Sequence, residues 1–282
     1  MKIVEDLNEA RAFLRDRREM GETVGFVPTL GALHEGHLTL IQKARESCDR
    51  VAVSIFVNPA QFGPKEDFSQ YPRDVAGDTE KCREAGADLL FFPGTEALYP
   101  EGYRTYVTVE DLSDRLCGAS RPGHFRGVAT VVLKLLQIVQ PDRLFLGEKD
   151  YQQYVILRRM VRDLDLETEV VVCPTVREPD GLAMSSRNAY LDPEERKGAA
   201  ALYRALTEAQ DVFVRGERNG EILQGILAGV LAAEPRIRPD YIRIVHPETL
   251  EDVKEAETGS VMALAVWIGA TRLIDNMTLG MS

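Results

Sequence analysis

No apolar stretch of this sequence approaches the roughly 20 residues that a bilayer-spanning helix needs, so an integral membrane protein is not expected. The opening residues Met1-Lys2-Ile3-Val4-Glu5-Asp6 turn charged at once and lack the apolar core of a secretory signal, which points to the cytoplasm. Cysteine is scarce, and Cys48, Cys82, Cys117 and Cys173 show no C-x-x-C spacing. Scattered thiols of this kind fit reduced, packed side chains better than a disulfide framework or a zinc site. Positive charge is also short: 34 Lys and Arg face 45 Asp and Glu, for a formal net charge of −11. Such a surface repels phosphate backbones, and with no basic run to offset it a nucleic acid is not the expected partner. A small anionic substrate stays open, because a few cations inside one cleft outweigh a negative exterior locally. Internal repeats and low-complexity segments are absent as well.

What is present is an ordinary globular composition, 44% hydrophobic and 28% charged over 282 residues, enough for one large domain or two modest ones. The first two-thirds alternates strand-like and helix-like stretches. Residues 7–20 carry apolar positions at helical spacing, and 23–27 reads as a buried strand stopped by Pro28. Helices are expected at 36–47, 74–85, 128–139 and 151–164, and strands at 51–57, 89–92, 143–146 and 169–173. Apolar strands separated by helices imply a parallel sheet covered on both faces, a Rossmann-like doubly wound α/β fold. Ligands in such sheets bind beyond the carboxyl ends of the strands. The last hundred residues differ. Asp192-Pro193-Glu194-Glu195 is a capping box opening a helix with the stripe Ala199, Leu202, Tyr203, Leu206, Ala209 and Phe213. A second helix at about 220–233 and strands at 241–245, 261–267 and 271–276 complete a smaller α+β domain. The boundary is expected near 174–178, giving domains 1–175 and 176–282.

Three clusters carry chemistry. The first, Pro28-Thr29-Leu30-Gly31-Ala32-Leu33-His34-Glu35-Gly36-His37, follows the first strand of the alternating series and holds two of the four histidines. Unpaired N–H groups at a helix N-terminus attract phosphate, and two imidazoles there donate to phosphate oxygens. A histidine pair that merely caps the helix is the plainer alternative. The second cluster, Gly147-Glu148-Lys149-Asp150-Tyr151-Gln152-Gln153, lies in another strand-to-helix loop. Lys149 offers a point charge for phosphate and Asp150 an acceptor for a ribose hydroxyl, although E-K-D is also a common surface turn. The third, Gly181-Leu182-Ala183-Met184-Ser185-Ser186-Arg187-Asn188, supplies two hydroxyls and a guanidinium suited to polyphosphate, or serves simply as a linker.

H-x-G-H at 34–37 paired with Met184-Ser185-Ser186-Arg187 resembles the nucleotidyltransferase superfamily with HIGH and KMSKS motifs. Further strings narrow the likeness: Ser54-Ile55-Phe56-Val57-Asn58-Pro59-Ala60-Gln61-Phe62-Gly63, Tyr71-Pro72-Arg73 and Arg121-Pro122-Gly123-His124-Phe125-Arg126-Gly127-Val128. Together with Phe145-Leu146 ahead of the second cluster, they make the chain similar to the pantothenate synthetase family, the AMP-forming pantoate–β-alanine ligases. One departure is Leu30, where the family commonly has methionine of similar volume.

The resemblance implies a two-step ligation of pantoate to β-alanine with ATP, through pantoyl adenylate, releasing pyrophosphate and AMP. It implies that His34 and His37 contact the phosphates, with His37 as the family's acid, and that Lys149 and Arg187 stabilise the transferring phosphate. Leu30, Gly31, Gly147, Asp150, Val176 and Met184 match positions contacting the nucleotide, and Ser185, Ser186 and Arg187 those closing over the triphosphate. Gln61 and Gln153 match the pair that holds pantoate; each read alone is an unremarkable polar residue. Arg121, His124 and Arg126 sit in a loop-like stretch and receive no role. Mg²⁺ is expected with ATP, Asp78 being the one carboxylate considered for it. The family also implies a homodimer, and the small C-terminal domain, joined near Ser185-Ser186-Arg187, is expected to act as a lid closing over ATP. Three rival readings stay open: an adenylyltransferase, which releases no free AMP; a ligase of another acid or amine, told apart by substrate swaps; and a non-catalytic ATP sensor, which releases no pyrophosphate.

Overall fold

The chain alternates strand and helix through its first part: β1 (Lys2–Val4), α1 (Leu7–Glu19), β2 (Val24–Thr29), α2 (Glu35–Ser47), β3 (Arg50–Ile55), α3 (Val75–Glu84), β4 (Leu89–Phe91), α4 (Thr95–Leu98), α5 (Leu116–Ser120), α6 (His124–Val139), β5 (Arg143–Gly147), α7 (Tyr151–Asp163) and β6 (Glu169–Cys173). The structure, a computed structural model, describes residues 1–64 and 66–281. It divides into two compact units. The first comprises Met1–Ser113, Arg121–Glu148 and Gln153–Pro174; the second comprises Asp114–Ser120, Lys149–Gln152 and the chain from Thr175 on.

In the first unit six strands pair in parallel, in the order β1-β4-β3-β2-β5-β6. Phe26, Val27, Val51, Val53, Leu90 and Phe145 are buried, as a sheet covered on both faces requires. From β2 the chain steps one way to β3 and β4, then returns to lay β5 on the other side of β2. The loops leaving β2 and β5 therefore flank the point where strand order reverses, where such sheets bind ligands.

Local departures from the sequence reading have local causes. Strand β2 does not stop at Pro28 but runs through it to Thr29, paired with Ser54 and Ile55 of β3. Its ladder to β5 covers only Gly25 and Phe26, so the donor missing at Pro28 breaks no hydrogen bond on that side. Helix α6 begins at His124 rather than near Val128, because Gly123 takes a left-handed conformation (φ 83°) at its N-cap. Edge strand β1 is too short to show a period, and its pairing with β4 gives it its place.

The second unit contains α8 (Pro193–Ala199), α9 (Ala201–Val214), α10 (Gly220–Ala232), β7 (Ile237–Val245), β8 (Val261–Ile268) and β9 (Thr271–Thr278). Its strands are antiparallel in the order β7-β8-β9, and Gly269 (φ 57°) makes the tight turn between β8 and β9. Leu202, Leu206, Phe213, Leu223, Leu227, Met262 and Leu264 belong to its core. The capping box at Asp192 forms: its carboxylate accepts from the N–H groups of Glu194 and Glu195, and Glu195 accepts from Asp192 N–H. The stripe expected on one helix is shared by two, since the chain bends at Ala200. Two segments that sequence alone attaches to the first domain join this unit instead. Gln152 Oε1 accepts from Cys117 N–H (2.9 Å), and Gln152 Nε2 donates to the Arg115 carbonyl (2.7 Å). Tyr151 Oη donates to the Pro247 carbonyl (3.1 Å), and Asn276 Nδ2 to that of Lys149 (2.9 Å). Among the described residues no helix is long and apolar enough to cross a membrane.

Candidate active site

The loop after β2 is held by side chains of β2 and α3. Gly31 (φ 89°) and Ala32 (φ 51°) are both left-handed, a conformation that disfavours any side chain. Thr29 Oγ1 accepts from Gly31 N–H (3.2 Å) and donates to the Ser54 carbonyl (2.9 Å). Asp78 of α3, only 1% exposed, accepts from Ala32 N–H through Oδ2 (2.8 Å) and from Leu33 N–H through Oδ1 (2.7 Å). Lys81 Nζ, one turn further along α3, donates to the Leu33 carbonyl (2.7 Å). Asp78, considered above for Mg²⁺, thus has both oxygens turned onto the loop backbone. Among the described residues no group of three or more His, Cys, Asp or Glu is placed to hold a metal ion.

The loop delivers His34 to the N-cap of α2. His34 Nδ1 accepts from Gly36 N–H (3.2 Å), and His37 Nδ1 accepts from His34 N–H (3.3 Å), a reciprocal cap made by two imidazoles. The ring centroids lie 4.1 Å apart. Capping and phosphate binding are therefore not alternatives. An imidazole accepting through Nδ1 carries its proton on Nε2 when neutral, so the cap makes Nε2 of each ring a donor. Both rings are half-buried.

Gln61 lies in the short turn Pro59–Gln61 after β3 and is 7% exposed. Asn58, fully buried, donates through Nδ2 to Gln61 Oε1 (3.0 Å) and to the Gly127 carbonyl (3.1 Å), while its Oδ1 accepts from Ala60 N–H (3.2 Å). The Gln61 amide is thereby oriented with its oxygen engaged. The Gln61 carbonyl meets His124 Nδ1 (2.8 Å), and Arg121 joins His124 Nε2 (3.0 Å) to Glu66 through two 2.7 Å hydrogen bonds. Arg121 and His124, given no role from sequence, brace the turn that carries Gln61. Gln153 and Leu30 are half-buried. A Cβ added at Gly147, where β5 ends, would meet nothing within 4 Å.

The second unit holds Lys149–Gln152 of the second cluster and all of the third. Lys149 pairs with Asp150 (3.4 Å). Val176 and Met184, matched by sequence to nucleotide contacts, are brought together by the Met184 N–H to Val176 carbonyl bond (2.9 Å). The turn between them uses Gly181 (φ 91°), where an added Cβ would run into the Tyr203 ring. Ser185 caps the short helix Ser186–Tyr190, accepting from Arg187 N–H (3.3 Å). Asn188 stitches this loop to Glu178 Oε1 (2.9 Å) and to the Ala183 carbonyl (3.1 Å). Buried Asp275 receives Arg177 bidentately (2.6 and 3.0 Å). Burial raises the Asp275 carboxyl above its ordinary value even against the Arg177 hydrogen bonds and charge. Sequence reasoning gave no role to Asn58, which it saw only as part of a matching string, and passed over Asp275 and Asn276. Asn58 before Pro59 is at least a turn signal, whereas the two β9 residues carry none.

Residues 2–278 match the family model described as Pantoate-beta-alanine ligase. The chain belongs to this family. It is 50% identical to the pantothenate synthetase of Thermotoga petrophila, over 99% of this chain and 100% of that protein. The crystal structure of pantothenate synthetase from Thermus thermophilus superposes with a TM-score of 0.94 at 50% identity, covering 99% of each chain. A pantoate-beta-alanine ligase from Francisella tularensis, crystallised with beta-gamma ATP and beta-alanine, gives a TM-score of 0.82 at 35% identity, covering 100% of this chain and 99% of that one. The parallel sheet and the small antiparallel unit are thus the fold of pantoate–β-alanine ligases.

Proposed function

We propose that this pantoate–β-alanine ligase makes pantothenate in two steps. A carboxylate oxygen of pantoate attacks the α-phosphorus of ATP, the bond to the β-phosphate breaks, and pyrophosphate leaves. The amine of β-alanine then attacks the acyl carbon of pantoyl adenylate, loses a proton, and expels AMP. Activation is required because a free carboxylate is a poor acyl donor. The observation that carries the reading is the imidazole cap at the switch-point end of the sheet, which makes Nε2 of His34 and His37 donors at a helix N-terminus.

In this reading His34 and His37 donate to phosphate oxygens, and His37 supplies the acid. Lys149 and Arg187 stabilise charge on the transferring phosphate, and Ser185 and Ser186 bind the triphosphate. Leu30, Gly31, Gly147, Asp150, Val176 and Met184 contact the nucleotide, the open space above Gly147 leaving room for it. Gln61 and Gln153 hold pantoate; the Gln61 oxygen is engaged by Asn58, so its Nε2 donates to the substrate. Mg²⁺ would accompany ATP, held largely by phosphate oxygens and water, and would offset the charge of the triphosphate. The enzyme is read as a cytoplasmic homodimer.

Labelled pyrophosphate, ATP and pantoate, incubated without β-alanine, test the intermediate. Label should enter ATP only when pantoate is present, and AMP and pantothenate should appear in equal amounts once β-alanine is added. Overall turnover without exchange overturns the adenylate. His37→Ala and Lys149→Ala should each lower turnover about 100- to 1,000-fold, the scale of losing one charge-stabilising donor. Near-normal rates in both would sink the assignment.

A further inference from the structure

We infer that Asp78 is a positioning residue for ATP: its buried carboxylate clamps the left-handed loop Gly31-Ala32-Leu33 and so sets His34 and the start of α2 where the triphosphate is met. The inference rests on the reading of His34 as a phosphate contact and extends it to a residue on another helix.

Two consecutive left-handed residues, one of them alanine, are not a conformation that the chain keeps by itself. Something must hold it, and the amides of Ala32 and Leu33 both converge on one carboxylate. A hydrogen bond from an amide to a charged oxygen is among the stronger ones, and two share this side chain. Lys81, three residues on and on the same face of α3, grips the Leu33 carbonyl from the other side. The clamp is dry: Asp78 is 1% and Leu33 3% exposed. Burial together with the Asp78 charge pushes the neighbouring Cys82 thiol up to about 12, so that thiol stays protonated beside the clamp. Gly31 is held from the same direction, since an added Cβ would lie 3.2 Å from Asp78 Oδ2 and 3.0 Å from Ile55. The carboxylate therefore faces backbone amides instead of repelling the phosphates. The clamped segment joins Leu30 to His34, both assigned to the nucleotide, and contains no residue assigned to pantoate. Loosening it should weaken ATP selectively.

The test is steady-state kinetics on the full-length enzyme with each substrate varied in turn. Asp78→Asn keeps the shape but replaces one acceptor with a donor, leaving one loop amide without its partner. KM for ATP is expected to rise at least about tenfold with a fall in kcat, while KM for pantoate and β-alanine stays within about twofold. Adding Ala32→Gly to Asp78→Asn removes the steric penalty of the left-handed residue and should recover part of the ATP affinity. Lys81→Met should act in the same direction with a smaller effect. A wild-type KM for ATP in folded Asp78→Asn overturns the clamp, as does an equal loss for all three substrates. Should Asp78→Asn fail to fold, an unchanged KM for ATP in Lys81→Met overturns it, and a selective rise supports it. His34→Ala separates the two layers. Wild-type behaviour there removes the phosphate reading itself, whereas loss of ATP in His34→Ala beside a normal Asp78→Asn removes only the clamp.

Discussion

Arg121 shows how one side chain can brace a turn through its neighbours. Its guanidinium meets both oxygens of Glu66 and Nε2 of His124, and His124 in turn meets the Gln61 carbonyl. Burial drives the Glu66 carboxyl up, but the Arg121 hydrogen bonds and charge outweigh it and leave the group below its ordinary value. A carboxyl depressed by folding contributes stability in full above its unfolded pKa of about 4.3, and that contribution is lost as pH falls through the folded value. Denaturation of wild type and Glu66→Gln should therefore differ by about 1–2 kcal/mol at pH 7, as expected for a partly buried charged hydrogen bond. The gap should close in acid below about pH 4. A gap independent of pH between 7 and 3 would show that the pair contributes nothing through its charge. The candidate residue types stood out in the sequence, because histidines in H-x-G-H and a lysine in a strand-to-helix loop are unusual company. Their partners did not: nothing about Asp78 in the sequence distinguishes a loop clamp from a solvated or metal-binding carboxylate.

Elements place these residues through backbone contacts that a period cannot reveal. Sequence starts α6 near Val128, after what reads as a loop, yet the helix begins at His124 and its first turn packs on the Pro59–Gln61 turn. Gly127 is the contact point, where an added Cβ would overlap the Ala60 carbonyl and crowd the Gln61 Cα. Gly127→Ala should lower stability by about 1–3 kcal/mol, the usual range for forced overpacking. Because what must shift is the turn bearing Gln61, KM for pantoate should rise while KM for ATP holds. Melting temperature and substrate kinetics together check this, and wild-type values in both would remove the packing argument. Strand β2 gives a parallel lesson. Proline is a stop signal for a strand read alone, but the β5 ladder ends at Phe26 and leaves that side of Pro28 unpaired, so the strand continues. Element type was legible almost throughout. Boundaries were decided by neighbours.

At the scale of the whole molecule, the excess of acid over base sets what the surface attracts. With a formal net charge of −11 and no basic stripe, mixing the protein with duplex DNA at low salt should leave the DNA mobility in a native gel unchanged. A retarded band that disappears with salt would contradict the charge reading. The sequence by itself determined the class of the fold, the alternation that makes its sheet parallel, the family, and the residues that chemistry singles out. All of these are carried by local pattern: period, caps, breakers and short strings. Only the tertiary structure decided which residues hold the candidate loops in shape. Asp78 reaches Ala32 from 46 residues away, and Asn276 reaches Lys149 from 127. Partners that distant are chosen by how strands order and units fold, and a buried polar group is satisfied by whatever the fold brings to it, so no local reading of the chain names them.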